Sequence, residues 1–158
     1  MLISFDEIID ITLHHEGGYV HDPKDLGGET NYGIAKRFYP DVDIKNLTKD
    51  EANDIYRRDY WVRNKVEELP ENLRHIFFDM CVNQGRGRAV KILQHAANAK
   101  GAGLKVDGGL GPKTIGAMKG VELDRVRAYR VKYYADLVTR KPDLEKFYFG
   151  WFRRALEV

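Results

Sequence analysis

Two consecutive glycines, Gly17 and Gly18, separate the first helix-forming segment of this chain from a loop in which a helix cannot continue. Before them, Ser4 and Glu7 have the spacing of an N-terminal capping box, and apolar residues follow at helical spacing. After them, one proline and three further glycines occur before position 34, which favours tight turns. The sequence therefore predicts an amphipathic helix that ends at Glu16 and leads into a glycine-rich loop.

Glu16 is a candidate general acid because of its place at the helix end. The partial negative charge there favours a protonated carboxyl group, which can donate a proton during catalysis. Asp25 follows nine residues later and Thr30 five after that, so a turn could bring both opposite Glu16. Two facing carboxyl groups are what glycoside hydrolases use. The alternative is a solvated glutamate beside a glycine cap, followed by aspartates in ordinary turns.

Four motifs carry a resemblance to a known family. They are Glu-Gly-Gly-Tyr at 16–19, Asp-Leu-Gly-Gly-Glu-Thr-Asn-Tyr-Gly-Ile at 25–34, Tyr-Trp at 60–61 and Val-Asn-Gln-Gly at 82–85. They resemble glycoside hydrolase family 108, the bacterial and phage N-acetylmuramidases also described as lysozyme-type secretion activators. The resemblance implies that Glu16 is the catalytic acid. Segments 93–98 and 106–114 resemble the peptidoglycan-binding segment that accompanies this family.

A looser similarity is to the phage lysozymes, whose sites contain Glu, Asp and Thr in that order. Glu16, Asp25 and Thr30 keep the order, with one residue fewer between the last two. The implied reaction is hydrolysis of the bond between N-acetylmuramic acid and N-acetylglucosamine. Glu16 would protonate the leaving oxygen, Asp25 would position or deprotonate water, and Thr30 would hold that water, with inversion. Alternatives are lytic transglycosylase chemistry and a non-catalytic wall-binding or secretion-assisting protein.

The charge is divided unequally along the chain. Residues 1–83 contain 10 Lys and Arg against 17 Asp and Glu, whereas residues 84–158 contain 16 against 7. The basic half is suited to anionic wall polymer or to nucleic acid, unless its cations only solvate helix faces. Because neither zinc-finger spacing nor an RNA-binding aromatic signature is present, we expect peptidoglycan as the partner and no nucleic acid. The oligomeric state is left open.

Three aromatic residues in the N-terminal half, Tyr19, Tyr32 and Trp61, are candidates for stacking on sugar rings, although most such residues pack in cores. No metal or other cofactor is expected. The histidines near Glu16 lack the spacing of a zinc site, and the glycine-rich loop at Asp107 has one carboxylate, which favours a turn over a calcium site.

The start of the chain lacks the basic and apolar regions of a signal peptide, and no segment approaches membrane-spanning length. We therefore expect synthesis in the cytoplasm, no stable membrane insertion, and access to the cell wall through a holin or an export route.

Helical periodicity and the resemblance together predict an all-α, lysozyme-like helical fold with at most a small β-hairpin after the first helix. Residues 1–92 are expected to form the catalytic region, and residues 93–158 a helical peptidoglycan-binding region packed against it. A second capping box, Thr48 with Glu51, predicts another helix start. Further helices are predicted at 88–98, 112–120, 122–139 and 143–156.

A helix that is apolar nearly all round, between positions 73 and 82, is expected at the centre of the fold. Asp79 on this helix then needs partners and is interpreted as a structural hydrogen-bonding hub or, alternatively, as part of a cleft floor. Cys81 beside it is interpreted as a buried thiol rather than a nucleophile.

Overall fold

The computed structural model describes residues 3–24 and 28–158, which form seven α-helices and one small sheet of three short strands. This confirms the mostly helical, lysozyme-like class and the small β element after the first helix. The chain divides into two compact units, residues 1–60 and residues 61–158. Within the described residues, no helix has the length and apolar character needed to cross a membrane.

The first unit contains two helices and the sheet. Its elements are α1 (Phe5–Glu16), β1 (Val20–His21), β2 (Glu29–Asn31), β3 (Ile34–Ala35) and α2 (Lys49–Tyr56). The strands are antiparallel in the order β1-β2-β3, with Val20 paired with Thr30 and Thr30 with Ala35. The apolar faces of both helices and Ile34 are buried in this unit.

Both predicted capping boxes are confirmed. Glu7 accepts a hydrogen bond from the backbone N–H of Ser4 at 2.7 Å, and the Ser4 hydroxyl accepts one from the Glu7 N–H at 3.3 Å. Thr48 and Glu51 exchange the equivalent bonds at 2.9 and 3.2 Å. These bonds satisfy backbone donors that the first turn of a helix leaves free, so each box fixes where its helix begins.

The second unit is built from helices. A π-helical turn (Arg57–Val62) leads from α2 into a short 3₁₀ turn (Val66–Glu68). Five helices and a second 3₁₀ turn (Pro142–Leu144) follow: α3 (Glu71–Gln84), α4 (Arg86–Asn98), α5 (Pro112–Ala117), α6 (Leu123–Arg140) and α7 (Glu145–Glu157). Helix α3 packs against α4 and α6, and α6 also packs against α4 and α7. The predicted helices are thus present, with ends displaced by at most three residues.

Asp79 is the structural hub expected from its burial. Its carboxylate, fully buried in α3, lies 2.6 Å from Nη2 of Arg130 in α6 and 3.0 Å from Nη2 of Arg154 in α7. Burial alone would raise the pKa of Asp79, but the charges of Arg130 and Arg154 outweigh it and hold the pKa below its usual value. One carboxylate therefore joins three helices.

The buried thiol and the turn at Asp107 are also confirmed. Cys81 is buried, and burial raises its pKa to about 12, so the thiol stays protonated. The Asp107 carboxylate accepts bonds from the Gly109 N–H at 2.8 Å and from the side-chain amide of Gln94 at 3.0 Å. Gln94, itself buried, also accepts bonds from the N–H groups of Asp107 and Gly108. The loop before α5 is thereby tied to α4.

Candidate active site

Glu16 is the last residue of α1, as predicted. Gly17 follows with φ +80°, a conformation that L side chains rarely adopt, and its N–H donates to the carbonyl of Leu13 at 3.2 Å. The chain therefore turns away from the helix axis directly after Glu16. The Glu16 side chain is half-buried, so it is shielded on one side and open on the other.

The backbone of Gly33 lies against the Glu16 side chain. A Cβ atom placed on Gly33 would stand 2.8 Å from Glu16 Oε2 and 2.9 Å from Glu16 Cβ, closer than real Cβ atoms approach other heavy atoms. The same position would be 2.7 Å from the hydroxyl oxygen of Tyr56. Glu16, Gly33 and Tyr56 thus meet at one place, and only glycine fits between the carboxylate and the phenol.

The turn between β2 and β3 makes this approach possible. Asn31 pairs with Ile34, which leaves Tyr32 and Gly33 as a two-residue loop with φ values of +51° and +75°. Positive φ at both central positions is the mark of a type I′ turn, whose twist matches that of the flanking strands. The Tyr56 hydroxyl donates to the carbonyl of Tyr32 at 2.7 Å, so α2 holds the turn in place.

A buried side chain next to the turn also anchors this hairpin. Asn31 is 7% exposed and donates from Nδ2 to the carbonyl of Ile44 at 3.0 Å. Because successive residues of a strand point to opposite faces, Thr30 faces away from the side on which Asn31 is buried. Thr30 is half-buried and pairs with Val20 and Ala35. Asp25 lies outside the described residues.

Tyr19 is partly exposed, at 42%, on the approach to β1. Its hydroxyl donates to Glu29 Oε2 at 2.8 Å. This hydrogen bond to the carboxylate of Glu29 raises the pKa of Tyr19. The bond also fixes the direction of the ring, which stays accessible to a ligand. Tyr32 is half-buried at the tip of the hairpin.

Trp61 is buried in the second unit. Its side chain is 5% exposed, its ring packs against Phe78 at 5.5 Å between centroids, and Nε1 donates to Glu67 at 3.1 Å. Most of the ring is therefore covered by the protein in this structure. The stacking role of Trp61 on a sugar stays a prediction.

Two residues of the site were not predicted as functional. Tyr56 falls on the apolar face of α2, as core residues do, and Gly33 is one of the glycines that favour turns after α1. Their signal in the sequence is weak: a glycine after one residue of an Asn-Tyr-Gly-Ile segment indicates a two-residue hairpin. Nothing in the sequence indicates that the Tyr56 hydroxyl reaches this hairpin from 24 residues away.

Comparison with known proteins shows the family of this chain. Residues 9–85 match the family model described as glycosyl hydrolase 108, which spans α1, the sheet, α2 and α3. The solved structure titled "Structure of Brucella abortus SagA" superimposes with a TM-score of 0.75 at 31% sequence identity, covering 97% of this chain and 90% of that one. The chain belongs to glycosyl hydrolase family 108. No curated protein matches the chain.

The C-terminal part of this family 108 protein matches a second family model, described as a predicted peptidoglycan domain, over residues 88–156. The two matches meet near the start of α4, whereas the two compact units divide between residues 60 and 61. A glycosyl hydrolase segment followed by a peptidoglycan domain places this chain in the class of peptidoglycan hydrolases. Its polymeric partner is the bacterial cell wall.

Proposed function

We propose that this family 108 protein is an N-acetylmuramidase in which Glu16 is the general acid. The bond cleaved is the glycosidic bond between N-acetylmuramic acid and N-acetylglucosamine. The observation that carries the proposal is the placement of the Glu16 carboxylate against the backbone of Gly33 and beside the Tyr56 hydroxyl. A carboxyl group that lies against a turn, itself fixed by the hydrogen bond from Tyr56 to Tyr32, has a restricted position from which to transfer a proton.

The proposed reaction is a single displacement. Glu16 donates its proton to the leaving glycosidic oxygen, the bond from the anomeric carbon to that oxygen breaks, and a water molecule attacks the opposite face of the sugar. Asp25 takes the proton of this water, while the Thr30 hydroxyl helps to hold it. An inverting enzyme needs roughly 6.5–9.5 Å between its two carboxyl groups, against about 5–5.5 Å in a retaining enzyme. We infer the wider separation for Glu16 and Asp25.

Tyr19 and Tyr32 are proposed to contact the sugar rings beside the cleaved bond. Both lie in the sheet region that follows α1, and the hydrogen bond from Tyr19 to Glu29 reduces the motion of that ring. Aromatic faces stack on the apolar faces of sugars and lose little conformational entropy when they do so. In the region proposed to carry the chemistry, residues 1–92, these two tyrosines are the binding residues and Glu16 is the acid.

The test of Glu16 is the Glu16→Gln variant, which keeps the shape of the side chain and removes the acidic proton. Turnover of purified peptidoglycan should fall by on the order of 10²- to 10⁴-fold, the usual contribution of a positioned acid. Thermal unfolding and binding to peptidoglycan should remain at wild-type levels. A folded variant with activity within a few-fold of wild type would remove Glu16 from the mechanism.

Mass analysis of the products tests the rest of the mechanism. Hydrolysis gives chains that end in reducing N-acetylmuramic acid, whereas a lytic transglycosylase gives 1,6-anhydro ends. We expect reducing ends, and an Asp25→Ala variant that binds peptidoglycan but hydrolyses it far more slowly. Anhydro ends, or full activity of Asp25→Ala, would reject the water-activating role of Asp25.

A further inference from the structure

A groove of about 330 Å³ lies on the second unit between α4 and α6. Its walls include Arg88, Lys91 and His95 from α4, and Tyr129, Tyr133 and Arg140 from α6. The volume is within the range of small-ligand clefts, about 300–1,000 Å³. All of its walls belong to the segment that matches the predicted peptidoglycan domain.

The groove is strongly basic. Four cationic side chains line it, whereas Asp136 is its one carboxylate. Asp136 is already paired with Lys132 at 2.7 Å. The other three cations are Arg88, Lys91 and Arg140. Arg88 and Arg140 donate hydrogen bonds to backbone carbonyls. In the described part of the chain, none of the three forms an ion pair with a carboxylate. Three positive charges around one cleft favour a ligand with several negative charges.

Aromatic rings form the other part of the groove. The ring of Tyr129 is stacked with His95, with 6.4 Å between centroids and 7° between planes. Tyr133 packs edge-on against Tyr134, which is buried. These neighbours hold the rings of Tyr129 and Tyr133 in fixed directions while both remain half-buried at the groove. The groove therefore combines flat rings with cations, which is suited to an anionic ligand that also has an apolar face.

We propose that the α4–α6 groove binds the stem-peptide portion of peptidoglycan through its free carboxylates, with an adjoining sugar or aliphatic face on Tyr129 and Tyr133. This inference rests on the proposed function, because it makes the groove the wall-binding site of a wall-cleaving protein. Carboxylates match the planar donors of Arg88 and Arg140, which can form paired bonds to them. In intact peptidoglycan the negative charge lies on the carboxylates of these peptides, and the sugar backbone itself is uncharged.

The test is binding of the full-length Glu16→Gln protein to purified sacculi of a Gram-negative bacterium, which lack teichoic acids. In this background the double variant Lys91→Glu with Arg140→Glu should raise the dissociation constant roughly tenfold, because two attractive charges become repulsive. The matched control is Lys105→Glu with Lys146→Glu. It makes the same change in net charge at two exposed sites outside the groove, and its affinity should fall far less.

Further samples separate the possible ligands. On sacculi whose peptide carboxylates have been converted to neutral amides with a carbodiimide and an amine, the groove and control variants should bind equally. The charge-preserving variant Lys91→Arg should bind intact sacculi within about twofold of the parent, since the charge and the planar donors of Arg140 are both retained. Thermal unfolding of each variant shows that its fold is intact.

Three outcomes would overturn the proposal. Equal losses in the groove and control variants would reduce the effect to net charge, and a groove effect that persists on sacculi with neutralised peptide carboxylates would exclude these carboxylates as the ligand. An effect seen only on walls that carry teichoic acid would assign the groove to a phosphate polymer. Because binding is measured without cleavage, these outcomes are independent of whether wild-type protein proves to be a muramidase.

Discussion

Gly33 shows how the absence of a side chain can be a requirement of a site. Its backbone has φ +75°, and the space that a Cβ would take is already occupied by Glu16 and Tyr56. Two independent reasons thus favour glycine, one from backbone conformation and one from contact with the proposed acid. The same residue closes the hairpin and sets how near the hairpin comes to the end of α1.

Gly33→Ala should therefore displace the Glu16 carboxylate. We expect peptidoglycan turnover to fall by about 10²-fold, the loss that a shift near 1 Å can cause in a positioned group. The positive φ should also reduce the free energy of unfolding by roughly 1–2 kcal/mol. Steady-state turnover and chemical denaturation measure the two effects.

Gly101→Ala is the matched control for this substitution. Gly101 has φ +87°, but a Cβ there would meet nothing within 4 Å. The control should reproduce the loss of stability and leave turnover near wild type. If Gly101→Ala and Gly33→Ala reduced turnover equally, the close approach of Gly33 to Glu16 would have no role in activity.

At the scale of the structural elements, the positions of the helices could be predicted from the sequence. Which side chains are buried in the segment after α2 could not. Capping boxes and apolar periodicity act over three or four residues, so they locate α1 and α2 directly. The π-helical turn after α2 contains one residue more than an α-helical turn. The next buried residue after Tyr56 is therefore Trp61, five residues later, whereas Tyr60 is half-buried. Regular helical spacing from Tyr56 instead predicts that Tyr60, four residues on, faces inward and that Trp61 does not.

The partners of Asp79 show the same limit over a longer range. Burial on an apolar helix predicts that Asp79 needs partners, but Arg130 and Arg154 lie 51 and 75 residues away along the chain. Such pairing depends on how α3, α6 and α7 pack, which local patterns do not encode. For the site, the sequence located Glu16 and the hairpin, whereas the Tyr56 hydroxyl depended on tertiary packing.

Asp79→Asn should weaken the joint between these three helices. Removing one partner from a buried ion pair typically costs about 3–5 kcal/mol. Because the folded pKa of Asp79 lies below its ordinary value of 3.8, its contribution is full above pH 3.8 and is lost as pH falls through the folded pKa. The difference between wild type and variant in denaturant unfolding should therefore be largest near neutral pH and shrink at strongly acidic pH.

Glu122→Gln provides a comparison for this pH series. A hydrogen bond from Arg125 lowers the pKa of Glu122 to about 2, but this carboxylate is exposed and screened by water. Its replacement should change the stability far less than Asp79→Asn near neutral pH, where the effect of Asp79→Asn is largest. A constant gap between wild type and Asp79→Asn from pH 7 down to pH 2 would contradict the ionised state of Asp79.

On the scale of the whole molecule, the division of charge predicts how the protein depends on salt. Residues 84–158 have a net charge of +9 against −7 for residues 1–83. Exposed charges act over about 30 Å at 0.01 M ionic strength and about 3 Å at 1 M. Binding of the Glu16→Gln protein to sacculi should therefore weaken steadily as salt is added. Pelleting assays that give one affinity across this range would show that charge does not contribute to binding.

The joint formed by Asp79, Arg130 and Arg154 also restricts how this sequence can change over generations. Loss of the aspartate alone leaves two buried cations, and loss of one arginine removes half of the compensation for the carboxylate. An apolar replacement of all three is compatible with a stable fold, yet each single step toward it passes through a destabilised protein. In a selection from random variants, substitutions at these positions should consequently appear together on three helices, rather than one at a time.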